Sequence, residues 1–175
     1  MQTTLYKVFT PFIFILFFMS GCADKNRQSL QTVDNVDVNK YLGIWYEVAR
    51  YDNWFEKGCF GASAEYKLRG GDINVLNSCF DEKQIKIKDA KGIAKVVDSN
   101  NSKLKVSFFW PFYGDYWILL LADDYRYSVV GEQSRKYFWI LSRTKELSKA
   151  DKEFILSKMP GLGYDVNKLI WLNYN

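Results

Sequence analysis

Histidine is absent from all 175 residues. That omission removes Ser-His-Asp and Cys-His catalysis, most zinc sites and histidine-ligated haem. No internal repeat and no low-complexity block is visible, which excludes solenoids and propellers. Charge of one sign is not in excess either: 24 basic and 20 acidic side chains give a net +4, scattered along the chain. A nucleic-acid-binding surface needs a basic cluster, and there is none. Cysteine is scarce at three residues. Only one long apolar run exists, Val8 to Met19, which is shorter than the ~20 residues a membrane-spanning helix needs.

That run, with Lys7 as its only flanking charge, reads as a secretory signal peptide over residues 1–21. It ends in Met19-Ser20-Gly21-Cys22, which resembles a bacterial lipobox. The resemblance implies that Cys22 becomes the lipidated first residue of the mature chain. It also implies that Ala23, in the place of an aspartate retention signal, sends the protein to the outer membrane. A plain signal peptide cleaved near Gly21 is the alternative. Residues 22–35 are polar and without period, and are expected to be a tether between membrane and domain.

The rest is long enough for one domain and too short for two. Aromatic residues reach 18% of the chain, which favours a β-rich core or an aromatic-lined cavity. Beyond Cys22 only Cys59 and Cys79 remain, in an exported and oxidising setting. Each lies about ten residues from Gly70-Gly71, the positive-φ pair of a hairpin turn, so a bridge between them near one barrel end is expected. A nucleophilic thiol is the other reading of this pair.

The remaining pattern is of short alternating runs with turn signals between them. Eight strands in up-and-down order are expected, from the run after Gly43 to Tyr137–Ser142. Eight strands close a barrel that holds one small ligand. Ser148-x-x-Asp151 approximates a capping box for one helix carrying Ala150, Phe154, Ile155 and Met159, ended by Pro160-Gly161. Leu169 to Leu172 makes a last short strand.

The organising stretch is Lys40-Tyr41-Leu42-Gly43-Ile44-Trp45-Tyr46-Glu47-Val48-Ala49-Arg50. Strict alternation puts Trp45, Glu47 and Ala49 on one face and Tyr46, Val48 and Arg50 on the other. Together with Asp123-Asp124-Tyr125, Trp139-Ile140-Leu141-Ser142-Arg143-Thr144, Val106-Ser107-Phe108-Phe109 and Pro111-Phe112-Tyr113-Gly114, it resembles the lipocalins. Within them it is similar to the bacterial outer-membrane lipoproteins, with plant temperature-induced lipocalins and apolipoprotein D as further relatives. The resemblance covers roughly Val33 to Trp171, and the barrel domain is expected over residues 36–175.

It implies an all-β, eight-stranded antiparallel calyx with one C-terminal helix outside. Gly43, Trp45 and Arg143 are expected to close one end, the arginine lying over the indole. The ligand-binding residues are expected to be Glu47, Ala49, Ala62, Ala64, Tyr66, Phe108, Trp110, Tyr113 and Trp139. Glu47 points inward in the phase of Trp45 and Ala49, either as a structural carboxyl with a tyrosine or water partner or as a headgroup anchor or pH-sensitive carboxyl. The implied ligand is a fatty acid or lysophospholipid. The other partner is the outer membrane through the anchor, with the protein facing the periplasm, and a homodimer stays open. No catalytic residue, metal or cofactor is expected. Two alternatives stand beside this: a lipid-modifying enzyme using Glu47 or a free Cys59, and a structural envelope lipoprotein with a filled barrel.

Overall fold

The computed structural model describes residues 29–174, so the leader, Cys22 and the first part of the tether lie outside the described residues. The chain enters at Asp37, whose carboxylate accepts from the backbone N–H groups of Asn39 and Lys40 and caps a single helical turn, α1 (Val38–Tyr41). Nine strands follow: β1 (Gly43–Tyr51), β2 (Gly61–Arg69), β3 (Asp72–Phe80), β4 (Lys86–Val96), β5 (Lys103–Phe109), β6 (Phe112–Leu121), β7 (Tyr127–Gly131), β8 (Phe138–Ser142) and β9 (Leu169–Trp171). The order β2-β3-β4-β5-β6-β7-β8-β1, with β1 pairing back onto β2, closes an antiparallel barrel. Such closure leaves the first eight strands no free long edge.

The Gly70-Gly71 turn joins Arg69 to its partner Asp72, with both glycines at positive φ as a two-residue hairpin requires. The stretch around Phe109 to Gly114 is tighter than expected. Phe109 already pairs with Phe112, so strand resumes before Tyr116.

The barrel is packed on both sides of its wall. Inside, Trp45, Tyr66, Ile73, Val75, Ala94, Leu104, Ile118, Val130 and Leu141 form one buried cluster. Outside, α2 (Lys149–Lys158) is capped by Ser148, which accepts from the N–H of Asp151, and it buries Ile155 and Met159 against Val129, Phe138 and Ile140. Burying each such side chain contributes roughly 1.5–3 kcal/mol. Covered on both faces, β7 is buried at every position. Phe154, read as part of the helix's apolar stripe, is instead exposed.

Two departures from simple alternation position the site. First, the β1–β8 register shifts between Glu47 and Ala49, a bulge in β1. Second, β1 and β2 stay paired only from Gly43↔Tyr66 to Tyr46↔Ser63 and then part, and β9 takes over the freed edge at Ala49–Tyr51. Tyr174 fills the cleft between them. Its hydroxyl shares its one proton between the Glu47 and Ala62 carbonyls, 2.7 and 2.6 Å away, and accepts from the Ala62 N–H at 3.1 Å. Gly61 makes room, since a Cβ there would lie 2.9 Å from the Tyr174 ring.

The tether differs from expectation. Leu30 is buried in the outer cluster, and the segment from it is held through Val33 N–H to Ile118 O (3.0 Å) and Val36 N–H to Asn100 O (2.8 Å), with Val36 packed into the inner cluster at the closed end. That part of residues 22–35 belongs to the folded unit. Among the described residues no helix is long and apolar enough to cross a membrane.

Candidate ligand-binding site

The closed end is built on Trp45, which is fully buried and donates from Nε1 to the Tyr41 carbonyl at 2.8 Å. The Arg143 guanidinium lies 3.7 Å from the centre of the indole ring. It donates to the carbonyls of Ile44 (2.8 Å), Lys40 (2.6 Å) and Tyr125 (3.3 Å), so it staples three segments over the floor. Gly43 sits at φ +92°, where a side chain is strained, and beside the same guanidinium. Gly43, Trp45 and Arg143, the residues expected to close one end, meet here.

Above the indole lies a hydroxyl network. Tyr41 contacts the Tyr116 and Ser128 hydroxyls at 2.8 and 2.9 Å, and Tyr66 donates to Tyr116 at 3.0 Å. Burial pushes the Tyr41 phenol up to about 12, so these groups stay neutral and serve as hydrogen-bonding struts.

The wall above this floor is less completely filled. Trp45 pairs with Ala64, and Ala64 with Asn77, so all three share the inner face. Ala64, Val106, Phe108, Tyr116 and Trp139 are only partly buried. Higher still, Ala90 and Gly114, inward by their pairing with Asn77 and Val106, are exposed. The cup is therefore packed at its base and opens toward the mouth, which is ringed by the loops after β1, β3, β5 and β7. Cys59 and Cys79 are bonded there (Cα–Cα 5.3 Å), tying the loop after β1 to β3. The free thiol invoked for an enzymatic reading is consumed in this bond.

Set into the wall is a buried charge cluster. Arg50 donates from Nη1 to Glu47 Oε1 at 2.8 Å and from Nη2 to the Cys59 carbonyl at 3.1 Å, and its Nε lies 3.6 Å from Glu56 Oε2. Glu56 also accepts from Trp139 Nε1 at 3.2 Å and from the Asn53 amide. Two carboxyls thus share one guanidinium. Burial holds the Glu47 carboxyl well above the usual glutamate value, the Glu56 charge raises it further, and Arg50 only partly offsets both.

The expected ligand residues divide. Glu47, Ala62, Ala64, Phe108 and Trp139 stand on the inner wall, and Tyr66 belongs to the floor. Ala49 does not face the calyx: the bulge after Glu47 turns it outward, against Phe138, Ile140 and Ile155 under α2. Trp110 and Tyr113 stand at the rim and line a cleft of about 510 Å³ on the outer wall with Glu65, Lys67 and Lys91. Three inner groups escape a reading by alternation. Arg50 is brought inside by the bulge, and Glu56 arrives from a loop. Asn77 is inward by register, and its buried Oδ1 has no hydrogen-bond partner among the described residues.

A closed eight-stranded cup with an arginine-stapled tryptophan floor and a C-terminal helix outside defines a lipocalin. The Lipocalin-like domain family matches residues 36–174, and the chain belongs to it. It is 41% identical over 159 residues to the outer membrane lipoprotein Blc of Citrobacter freundii, covering 89% of this chain and 90% of that one. It is 32% identical over 152 residues to temperature-induced lipocalin-1 of Arabidopsis thaliana, covering 82% of each. Insecticyanin of Manduca sexta has the same fold, with a TM-score of 0.68 at 22% identity over 83% of this chain and 85% of that one.

Proposed function

We propose that this lipocalin is anchored to the outer membrane through a lipidated Cys22 and holds a long-chain fatty acid or lysophospholipid in its calyx. Its role on this reading is storage, transport or envelope maintenance. The observation that carries the reading is the division of the barrel into a sealed aromatic floor and a partly open apolar wall. A wall of Ala64, Val106, Phe108 and Trp139 offers an acyl tail apolar contact and offers a reacting group little. Each buried methylene contributes about 0.8 kcal/mol, so a long chain binds usefully without catalytic machinery. The buried Glu47–Arg50–Glu56 cluster and Asn77 supply polar groups at mid-wall. The kinship with proteins named outer membrane lipoproteins supports the anchor, as does the lipobox-like Met19-Ser20-Gly21-Cys22. The open inner wall speaks against a filled, purely structural barrel.

The test is mass spectrometry of lipids extracted from protein purified without detergent exchange. A near-stoichiometric long-chain acyl lipid is expected, and protein free of any such lipid would refute the reading.

A further inference from the structure

Among the described residues the four most exposed aromatic side chains are Trp54, Phe109, Trp110 and Phe112, at 71, 75, 83 and 77%. All four stand on the loops or strand ends after β1 and β5, at the mouth. Ile85, exposed at 60%, joins them from the loop after β3. A monomer in water rarely gathers such a patch at one end without a partner for it. Tryptophan and phenylalanine at a rim whose loops also carry exposed Lys57 and Lys83 suit the interface of a bilayer, where rings meet acyl chains and ammonium groups meet phosphates.

The docked part of the tether shows from which end of the barrel the chain toward Cys22 sets out. Val36 is held at the closed end by Asn100. The segment then runs back along the wall past Ile118 to Leu30, whose N–H donates to Gln133 Oε1 at 3.1 Å. Gln133 lies in the turn after β7, at the mouth. Leu30 is 2% exposed, so the segment is fixed in that direction. Cys22 lies eight positions before it, a reach of at most about 30 Å at 3.3–3.6 Å per residue. The chain leading to Cys22 therefore sets out from the mouth, where the aromatic rim stands.

We propose that the mouth docks on the bilayer that holds the anchor, with the Trp54 and Phe109–Phe112 loops inserted at the interface, so that an acyl ligand passes between leaflet and calyx without crossing water. The inference rests on the anchor reading above, and its test separates the two. The mature chain, and a Cys22→Ser form lacking the acyl anchor, are each mixed with vesicles of phosphatidylethanolamine and phosphatidylglycerol brominated near the top of the acyl chains. Bromine is expected to quench tryptophan emission in both forms. The quenching should vanish in Trp54→Phe/Trp110→Phe, which keeps the rings but removes two of the six tryptophans as reporters. In the Cys22→Ser form, Trp110→Ser/Phe112→Ser should lower vesicle partition by at least about tenfold, the loss expected for two inserted aromatic side chains. These positions are solvent-exposed, and an unchanged thermal midpoint verifies the fold of each variant.

Equal quenching with and without the two rim tryptophans, or none in either form, overturns the proposal. So does a dimer that the same substitutions abolish in a protein that never binds vesicles. Quenching of the Cys22→Ser form alongside a wild-type chain that carries no acyl group would sink the anchor reading and leave the docking standing.

Discussion

Arg50 reaches Glu47 across a β-bulge, with Nη1 2.8 Å from Oε1 in a site closed to water on the wall side. Glu56 completes the cluster, so two acids lean on one base. Removing a single partner from such a group leaves an uncompensated buried charge. The pH response follows from the carboxyl whose proton affinity is raised.

Between the ordinary glutamate value of 4.5 and its higher folded value, Glu47 holds more proton in the folded chain than in the unfolded one. The stability this provides is full below the ordinary value and is lost as pH rises through the folded one. Glu47→Gln keeps the contact with Arg50 and removes the titration. Denaturant unfolding across this range should show the wild type losing stability relative to the variant as pH rises. Parallel pH profiles would place the charge cluster elsewhere.

The Tyr174 hydroxyl stands in for ladder hydrogen bonds where β1 and β2 part. Tyr174→Phe keeps the ring beside Gly61 and leaves the Ala62 N–H and two carbonyls short of a partner. A loss of about 1–3 kcal/mol is expected, as for buried groups left unsatisfied. Fast amide exchange should appear at Ala62 while β3 stays protected. A variant as stable as wild type would show that water replaces the hydroxyl at no cost.

Trp45→Ala removes the floor and should cost about 3–5 kcal/mol, as large aromatic truncations do. Calorimetry is expected to show the loss with acyl-chain affinity changed far less. The reverse pattern, full stability and lost binding, would mean that Trp45 is a ligand contact and not a seal.

The disulfide closes a span of 20 residues, so Cys59→Ala/Cys79→Ala should lower stability by roughly 3 kcal/mol in the chain-entropy account. Two titratable thiols in denatured, unreduced wild type would contradict the bond.

Much of this was legible in the chain because the closure motifs are local. Gly43-x-Trp45 and Arg143 act through a turn and one ring stack, and alternation from Leu104 to Phe108 is clean. The charge cluster was not legible. Alternation along β1 places Arg50 outside and Ala49 inside, and a single bulge exchanges them. A bulge answers to the packing of β8 and β9 on the neighbouring edges, which no local pattern records. Tyr174 and the docked Leu30 are likewise tertiary events: each is an isolated residue in a polar stretch, given meaning by a gap or groove distant in sequence.

The central claim, an acyl tail buried head-up above a tryptophan floor, is tested most directly by binding across a series of saturated fatty acids of increasing length. Trp139, on the inner wall, supplies fluorescence as the reporter, with Trp54 and Trp110 replaced by phenylalanine to silence the rim. Affinity should rise roughly fourfold with each added methylene, in keeping with ~0.8 kcal/mol per buried group, until the tail meets Trp45, and should fall beyond that length. An affinity that stays flat from short to long chains would contradict the account, because a tail outside the calyx gains nothing from its depth.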